Sequence, residues 1–173
     1  MHITQIIQQM ELNALRIRTL VEGVSAEQAR WKPGPDSWSV LEVVNHLYDE
    51  EREDFRVRLD LILHQPKEEW PPIDPRGWVA TRRYNQREIG PSLKAFLDER
   101  NSSIAWLKSL DSPSWQAAVQ APFGEIRAGD MVSAWAAHDL LHLRQLVELQ
   151  HAFIVQITAP YSTEYAGPWE TGG

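Results

Sequence analysis

Two histidines stand four residues apart in Ala134-Trp135-Ala136-Ala137-His138-Asp139-Leu140-Leu141-His142-Leu143-Arg144-Gln145-Leu146. The stretch has no Gly or Pro and is rich in Ala, Leu, Arg and Gln, so it predicts a helix. On a helix, His138 and His142 lie on one face, a turn apart. Met131, Trp135, Gln145, Leu146 and Leu149 extend that face into the pattern a bundle helix turns inward. Imidazoles among apolar groups must be satisfied. Hydrogen bonds to side chains or water would do it, and so would a metal ion held on the ring nitrogens. The H-x-x-x-H spacing alone does not choose between them.

A metal needs a third ligand, and His46 is the candidate, in Ser39-Val40-Leu41-Glu42-Val43-Val44-Asn45-His46-Leu47 on a second helical stretch. Three imidazoles from two helices would leave one coordination position open, the arrangement of catalytic zinc sites. Glu50, one turn beyond His46, is a candidate second-shell group or general base. The competing reading makes it a solvated side chain in the charge run from Asp49 to Asp54, and the sequence favours that one. Arg82, Arg83 and Arg87 could meet an anionic substrate, although surface ion pairs are the expected use. His64 reads as a surface residue, and His151 as a helix-end residue suited to the dipole rather than a ligand. No substrate-binding residue stands out.

The elements that must position these groups are four long helices. Ile3, Ile6, Ile7, Met10, Ala14, Ile17, Val21 and Val24 set a first helix. Ser25-Ala26-Glu27-Gln28 has capping-box form and predicts a short extra turn, and Trp31-Lys32-Pro33-Gly34-Pro35 breaks the chain. Ser39-Val40-Leu41-Glu42 is a second capping box. It opens a helix to about Leu63 with Val43, His46, Leu47, Glu50, Asp54, Val57 and Leu61 on one face. A proline-bearing connection, with Trp70 and Trp78, runs from His64 to Gly90 and suits a crossover rather than a tight hairpin. Gly90-Pro91 starts a third helix, striped by Leu93, Phe96, Leu97, Ile104, Leu107 and Leu110 and ended by Asp111-Ser112-Pro113. Ala117–Val119 and Glu125–Arg127 flank Pro122-Phe123-Gly124, which suggests a short β-hairpin. The fourth helix runs from near Gly129-Asp130 to about His151. A tail from Thr158 to Gly173 should lie across the domain, its last residues loose. The expectation is one all-α domain over residues 1–173, a four-helix bundle with long crossover connections. Bundles of this kind commonly carry metal sites on inward side chains of facing helices.

Composition narrows the chemistry. At 173 residues the chain is long enough for a substantial core. With 24 acidic against 17 basic residues the net charge is -7, which speaks against a nucleic acid as the main partner. No run reaches the ~18 apolar residues of a membrane span, and the first residues lack a signal-peptide pattern, so a cytoplasmic protein is expected. There is no cysteine, so disulfides, thiolate ligands and a cysteine nucleophile are excluded. Any thiol chemistry must use a thiol brought by the substrate. A homodimer stays open as its assembly.

Two segments resemble a known family. Pro35-Asp36-Ser37-Trp38-Ser39-Val40-Leu41-Glu42-Val43-Val44-Asn45-His46-Leu47 is similar to the start of the second helix in DinB-like proteins, and Ala136 to Leu146 to their fourth. The resemblance covers nearly the whole chain in helix order. It implies an up-down-down-up four-helix bundle and a divalent metal, zinc or nickel, on three histidines. His46, His138 and His142 match the family ligands. The resemblance also implies a small-molecule substrate, with a low-molecular-weight thiol as one option, since the family includes thiol-dependent S-transferases and isomerases. Two functions follow: an enzyme whose metal activates an external thiol or water, or a non-catalytic ligand-binding or stress-response module. A deep pocket beside the metal carrying Arg or Glu would favour the enzyme.

Overall fold

The structure is a computed structural model, and it describes residues 1–169. It is mostly helical, with α1 at Ile3–Val21, α2 at Ala26–Arg30, α3 at Val40–Glu50, α4 at Arg56–His64, α5 at Pro75–Thr81, α6 at Ile89–Ser109 and α7 at Ala128–Thr158. Strands β1 (Ala118–Ala121) and β2 (Gly124–Arg127) pair antiparallel just before α7. Helix α1 packs on α6 and α7, and α3 packs on both as well.

Helices α2 and α3 start on the predicted serine caps, the first without the reciprocal half of a capping box. Ser25 accepts from the Gln28 amide, and Ser39 with Glu42 forms the reciprocal capping box. Two boundaries and one additional helix differ from expectation. Helix α1 stops at Val21, because Gly23 takes a positive φ of 87° that turns the chain out of the helix. Helix α7 runs seven residues past His151 and ends one residue short of the Ala159-Pro160 peptide, where the pre-proline residue leaves the helical region. The crossover holds a helix the periodicity did not show. Asp74 caps α5 by accepting from the Gly77 amide at 2.9 Å, with Pro75 at the first position. A Cβ at residue 77 would lie 1.8 Å from Asp74 Oδ2, so a larger residue there would push the capping carboxylate aside.

Between α3 and α4 the chain makes one wide π-helical turn, Glu51–Phe55, without leaving the helix. Its extra residue shifts the inward face. The expected face ran through Asp54, Val57 and Leu61, but the apolar side chains buried after Glu50 are Phe55, Leu59 and Ile62, while Val57 and Leu61 are half-buried. A step of five residues, from Glu50 to Phe55, replaces the usual four.

The core divides into two apolar clusters. One gathers Met10, Phe55, Ile104 and Trp135, and the other Ile17, Leu47, Phe96 and Leu143. On each long helix a polar residue sits between the clusters: Asn13, Glu51, Arg100 and Asp139, all essentially without solvent exposure. Arg100 donates from Nε to Glu51 at 2.8 Å and from both terminal nitrogens to Asp139 at 2.7 Å. Asn13 donates to Asp139 at 3.2 Å, and the Trp135 indole donates to Glu51 at 2.7 Å. One guanidinium thus ties together the helices that carry the histidines.

The remaining tail folds back on α7 through a short 3-10 turn at Glu164–Ala166. Trp169 stacks on His151 with ring centroids 4.0 Å apart and planes 7° from parallel. The last four residues, 170–173, on which the expectation of a loose end falls, lie outside the described residues.

Candidate metal centre

Helix α3 delivers His46 and helix α7 delivers His138 and His142 to one point. His46 is buried; the α7 pair is half-buried, because Asp139 and Leu143 take the inmost positions. His138 Nε2 lies 3.3 Å from His46 Nε2 and 3.1 Å from His142 Nε2. One nitrogen from each of the three rings falls within 4.8 Å of the others. Tetrahedral zinc–imidazole bonds of about 2.0–2.1 Å set nitrogens roughly 3.3–3.4 Å apart, so the two observed edges are close to those of such a site.

The outer nitrogens test the alternative of hydrogen bonds alone. If His46 and His142 both donate from Nε2 to His138, then His46 Nδ1 must be an acceptor. That atom is buried and has no hydrogen-bond partner, and its nearest charged neighbour is Glu50 Oε1 at 3.7 Å. His142 Nδ1 faces Gln145 Oε1 at 2.8 Å, which suits a donor rather than an acceptor. With Nδ1 protonated on His142, its Nε2 lone pair is turned toward the centre, the tautomer that a metal ligand needs, and His46 Nδ1 has only the Glu50 carboxyl, at 3.7 Å, on its outer side. The donor set fits a divalent ion of the zinc or nickel type.

Burial keeps these rings neutral. His46 is lowered to about 2 and His138 to about 3, first by desolvation and then by the His142 charge. His142 is also lowered by burial, against an opposing pull from Gln145 and Asp139. Protons therefore do not compete for the lone pairs at neutral pH. Aromatic rings fix the triad from outside: Trp38, from the loop that precedes α3, meets the His46 ring edge-on at 4.8 Å and lies parallel to His142 at 6.2 Å. Phe55, brought inward by the π turn, packs on His138 with centroids 5.1 Å apart.

Glu50 is not the solvated side chain the charge run suggested. It is buried, and its pKa is raised to about 8, by desolvation and then by the Asp54 charge. The run is inward because its partners come from elsewhere in the chain. Asp49 takes Arg82 at 2.7 Å and the Tyr84 hydroxyl, Glu51 takes Arg100, and Asp54 takes Arg58 at 2.8 Å. Arg82 also grips Glu53 at 2.7 and 2.8 Å, and Arg87 donates to Asn45 at 2.6 Å. His64 stays on the surface, bonded to Asp60. His151 stacks on Trp169 and is not among the three histidines that converge.

A cleft of about 810 Å³ opens beside the triad, reaching His142 and Gln145 at its inner side and Trp38, Arg76, His151 and Trp169 around it. Arg76 comes from α5, the helix the sequence reading missed. Its signal was Asp74-Pro75, an N-cap followed by proline at the first helical position. No helix among the described residues is long and apolar enough to cross a membrane.

The comparisons agree with the fold. In the solved structure of YfiT from Bacillus subtilis, a protein described as a probable metal-dependent hydrolase with an unusual four-helix bundle topology, 87% of that chain aligns with 87% of this one at a TM-score of 0.77 and 20% identity. Among curated proteins, no sequence matches. A family model described as the DinB superfamily matches residues 9–146, most of the length and all three histidines. The chain belongs to the DinB superfamily.

Proposed function

We propose that this protein is a metal-dependent enzyme, with His46, His138 and His142 holding one divalent ion, zinc or nickel, on an up-down-down-up bundle. The observation that carries this reading is the convergence of three buried or half-buried imidazoles within 4.8 Å, with His142 holding its outer nitrogen as a donor to Gln145 and itself lining a cleft. A bound divalent ion would supply Lewis acidity, lowering the pKa of a water or an external thiol so that it attacks as a nucleophile.

The chain's own residues do the rest. Gln145 holds His142 in its tautomer from Nδ1, and Glu50, buried with its Oε1 3.7 Å from His46 Nδ1, is placed to orient that ring. Trp38 and Phe55 lock the rings and keep bulk water off their outer faces. Glu50 does not line the cleft and faces His46 Nδ1, so its role is to position a ligand rather than to move the substrate's proton. The absence of cysteine means that attack by a thiol would require one carried in by the substrate. Between hydrolysis and thiol transfer, the description of YfiT as a probable hydrolase supports water. The cleft beside the triad, with Arg76 and Glu148 on its lining, supports an enzyme over a passive binding module.

The test is turnover. Zinc- and nickel-loaded protein, chelator-stripped protein and His142→Ala would be screened against small esters, amides and thiol–electrophile pairs. Metal-dependent turnover lost in His142→Ala is expected. Equal rates in loaded and stripped protein would refute the reading.

A further inference from the structure

The cleft beside the triad has two flat aromatic walls and one cation. Trp38 stands parallel to His142, 3° from coplanar orientation, and Trp169 lies flat on His151. Apolar planes of this kind take a flat or apolar body at little entropic cost. Arg76 lines the same cleft. In a chain with 24 acidic residues against 17 basic ones, arginines find carboxylates easily: Arg18, Arg52, Arg56, Arg58, Arg82, Arg100 and Arg144 all do. Arg76 has no ion-pair or hydrogen-bond partner among the described residues. It is held instead on a capped helix whose Asp74–Gly77 turn fixes the backbone.

The cleft also contains two carboxylates. Glu148 is taken by Arg144 at 3.5 Å, whereas Asp36 has no cationic partner among the described residues. The cleft's overall charge therefore does not draw anions; only the placement of Arg76 does, and Asp36 opposes a second negative charge.

We propose that the metal centre serves a small molecule with a flat apolar body and a single anionic group, carboxylate or the like, the body lying between the Trp38 and Trp169 walls and the anion resting on Arg76. This deepens the metalloenzyme reading and rests on it. Arg76 is a specificity-determining residue, reached by the substrate at a point away from the reacting atoms. A guanidinium suits the task because its fork matches a carboxylate with two parallel hydrogen bonds.

The probes are benzohydroxamate, whose hydroxamate binds a zinc ion with an open position, and its 3- and 4-carboxylates, titrated into zinc-loaded protein by calorimetry. Benzohydroxamate reports the metal and is blind to Arg76; the carboxylate increment reports Arg76. In the wild type the better-placed carboxylate should tighten binding by about fivefold, the size of an exposed ion pair. Arg76→Ala should erase that increment and leave benzohydroxamate unchanged, Arg76→Lys should keep part of it, and Asp36→Asn should enlarge it. Equal affinity of all three probes for the wild type would overturn the inference, and so would an increment that survives Arg76→Ala. Failure of benzohydroxamate to bind the zinc-loaded protein would overturn the metal reading itself, and the inference with it.

Discussion

Arg100→Met is the substitution to which the fold should respond most. Arg100, Glu51 and Asp139 are at most 1% exposed, so no solvent screens or replaces their contacts. The guanidinium makes two bonds to each carboxylate and reaches the Met10 carbonyl at 3.3 Å. Methionine fills much of the volume but leaves two buried carboxylates facing each other with only the Trp135 indole and the Asn13 amide as donors. Breaking a buried pair from one side costs about 3–5 kcal/mol. For a domain of this size that is a fall in melting temperature of roughly 6–20 °C. Urea denaturation of chelator-treated protein measures it without contribution from a metal. The triple change Arg100→Met, Glu51→Leu, Asp139→Leu removes all three charges together and should recover much of the loss, because no buried ion is left to desolvate, with the remainder set by the Asn13 amide and Trp135 indole that lose their acceptors. A single-variant loss below about 1 kcal/mol, the size of a surface pair, would show that the layer is solvated and the reasoning wrong.

Two further outcomes follow from the same geometry. Ser39→Ala should weaken the protein by about 1 kcal/mol, through loss of the cap at the start of the helix that carries His46, and an unchanged melting temperature would count against the capping box. In chelated protein, stability should fall as pH drops below 6.5, because the unfolded histidines take protons that the folded ones refuse. His46 and His138, with folded values of about 2 and 3, each account for about 2 kcal/mol lost by pH 5, and the loss continues toward those folded values. Glu50 acts in the opposite sense, its raised pKa favouring the folded state as pH falls from about 8 toward 4.5, so it offsets part of the effect. A melting temperature flat between pH 7 and 5 in metal-free Glu50→Gln protein, where that offset is removed, would contradict the burial of the triad.

Much of the site was legible because it depends on local rules. A four-residue spacing puts His138 and His142 on one face whatever the rest of the chain does, and a capping box fixes the start of α3, hence the face of His46. What local rules cannot show is a change of period. The π turn adds a residue after Glu50, and the face expected from a constant 3.6 period ran through Val57 and Leu61 instead of Phe55, Leu59 and Ile62. Nor can they show where a charge finds its partner. Asp49, Glu50, Glu51 and Asp54 looked like a solvated run because Arg82, Tyr84 and Arg100 are 33 to 49 positions away, in the pairs Asp49–Arg82, Asp49–Tyr84 and Glu51–Arg100. The buried polar layer left a weak trace: Arg100 sits between Phe96 and Ile104, and Asp139 between Trp135 and Leu143, at positions where an apolar residue belongs. Arg76 and Trp169 came from the crossover and the tail, which have no periodicity to read.

X-ray absorption at the metal edge of zinc- or nickel-loaded protein tests the three-histidine site most directly. The wild type should bind one ion per chain, with three imidazole nitrogens at about 2.0–2.1 Å for zinc and one further light-atom ligand. His142→Ala should lose one imidazole from that shell, and both it and the chelated wild type should stay folded by circular dichroism, since the two apolar clusters rather than the ion hold the helices together. A protein that takes up no ion, or a shell built of carboxylate oxygens and indifferent to His142→Ala, would contradict the site.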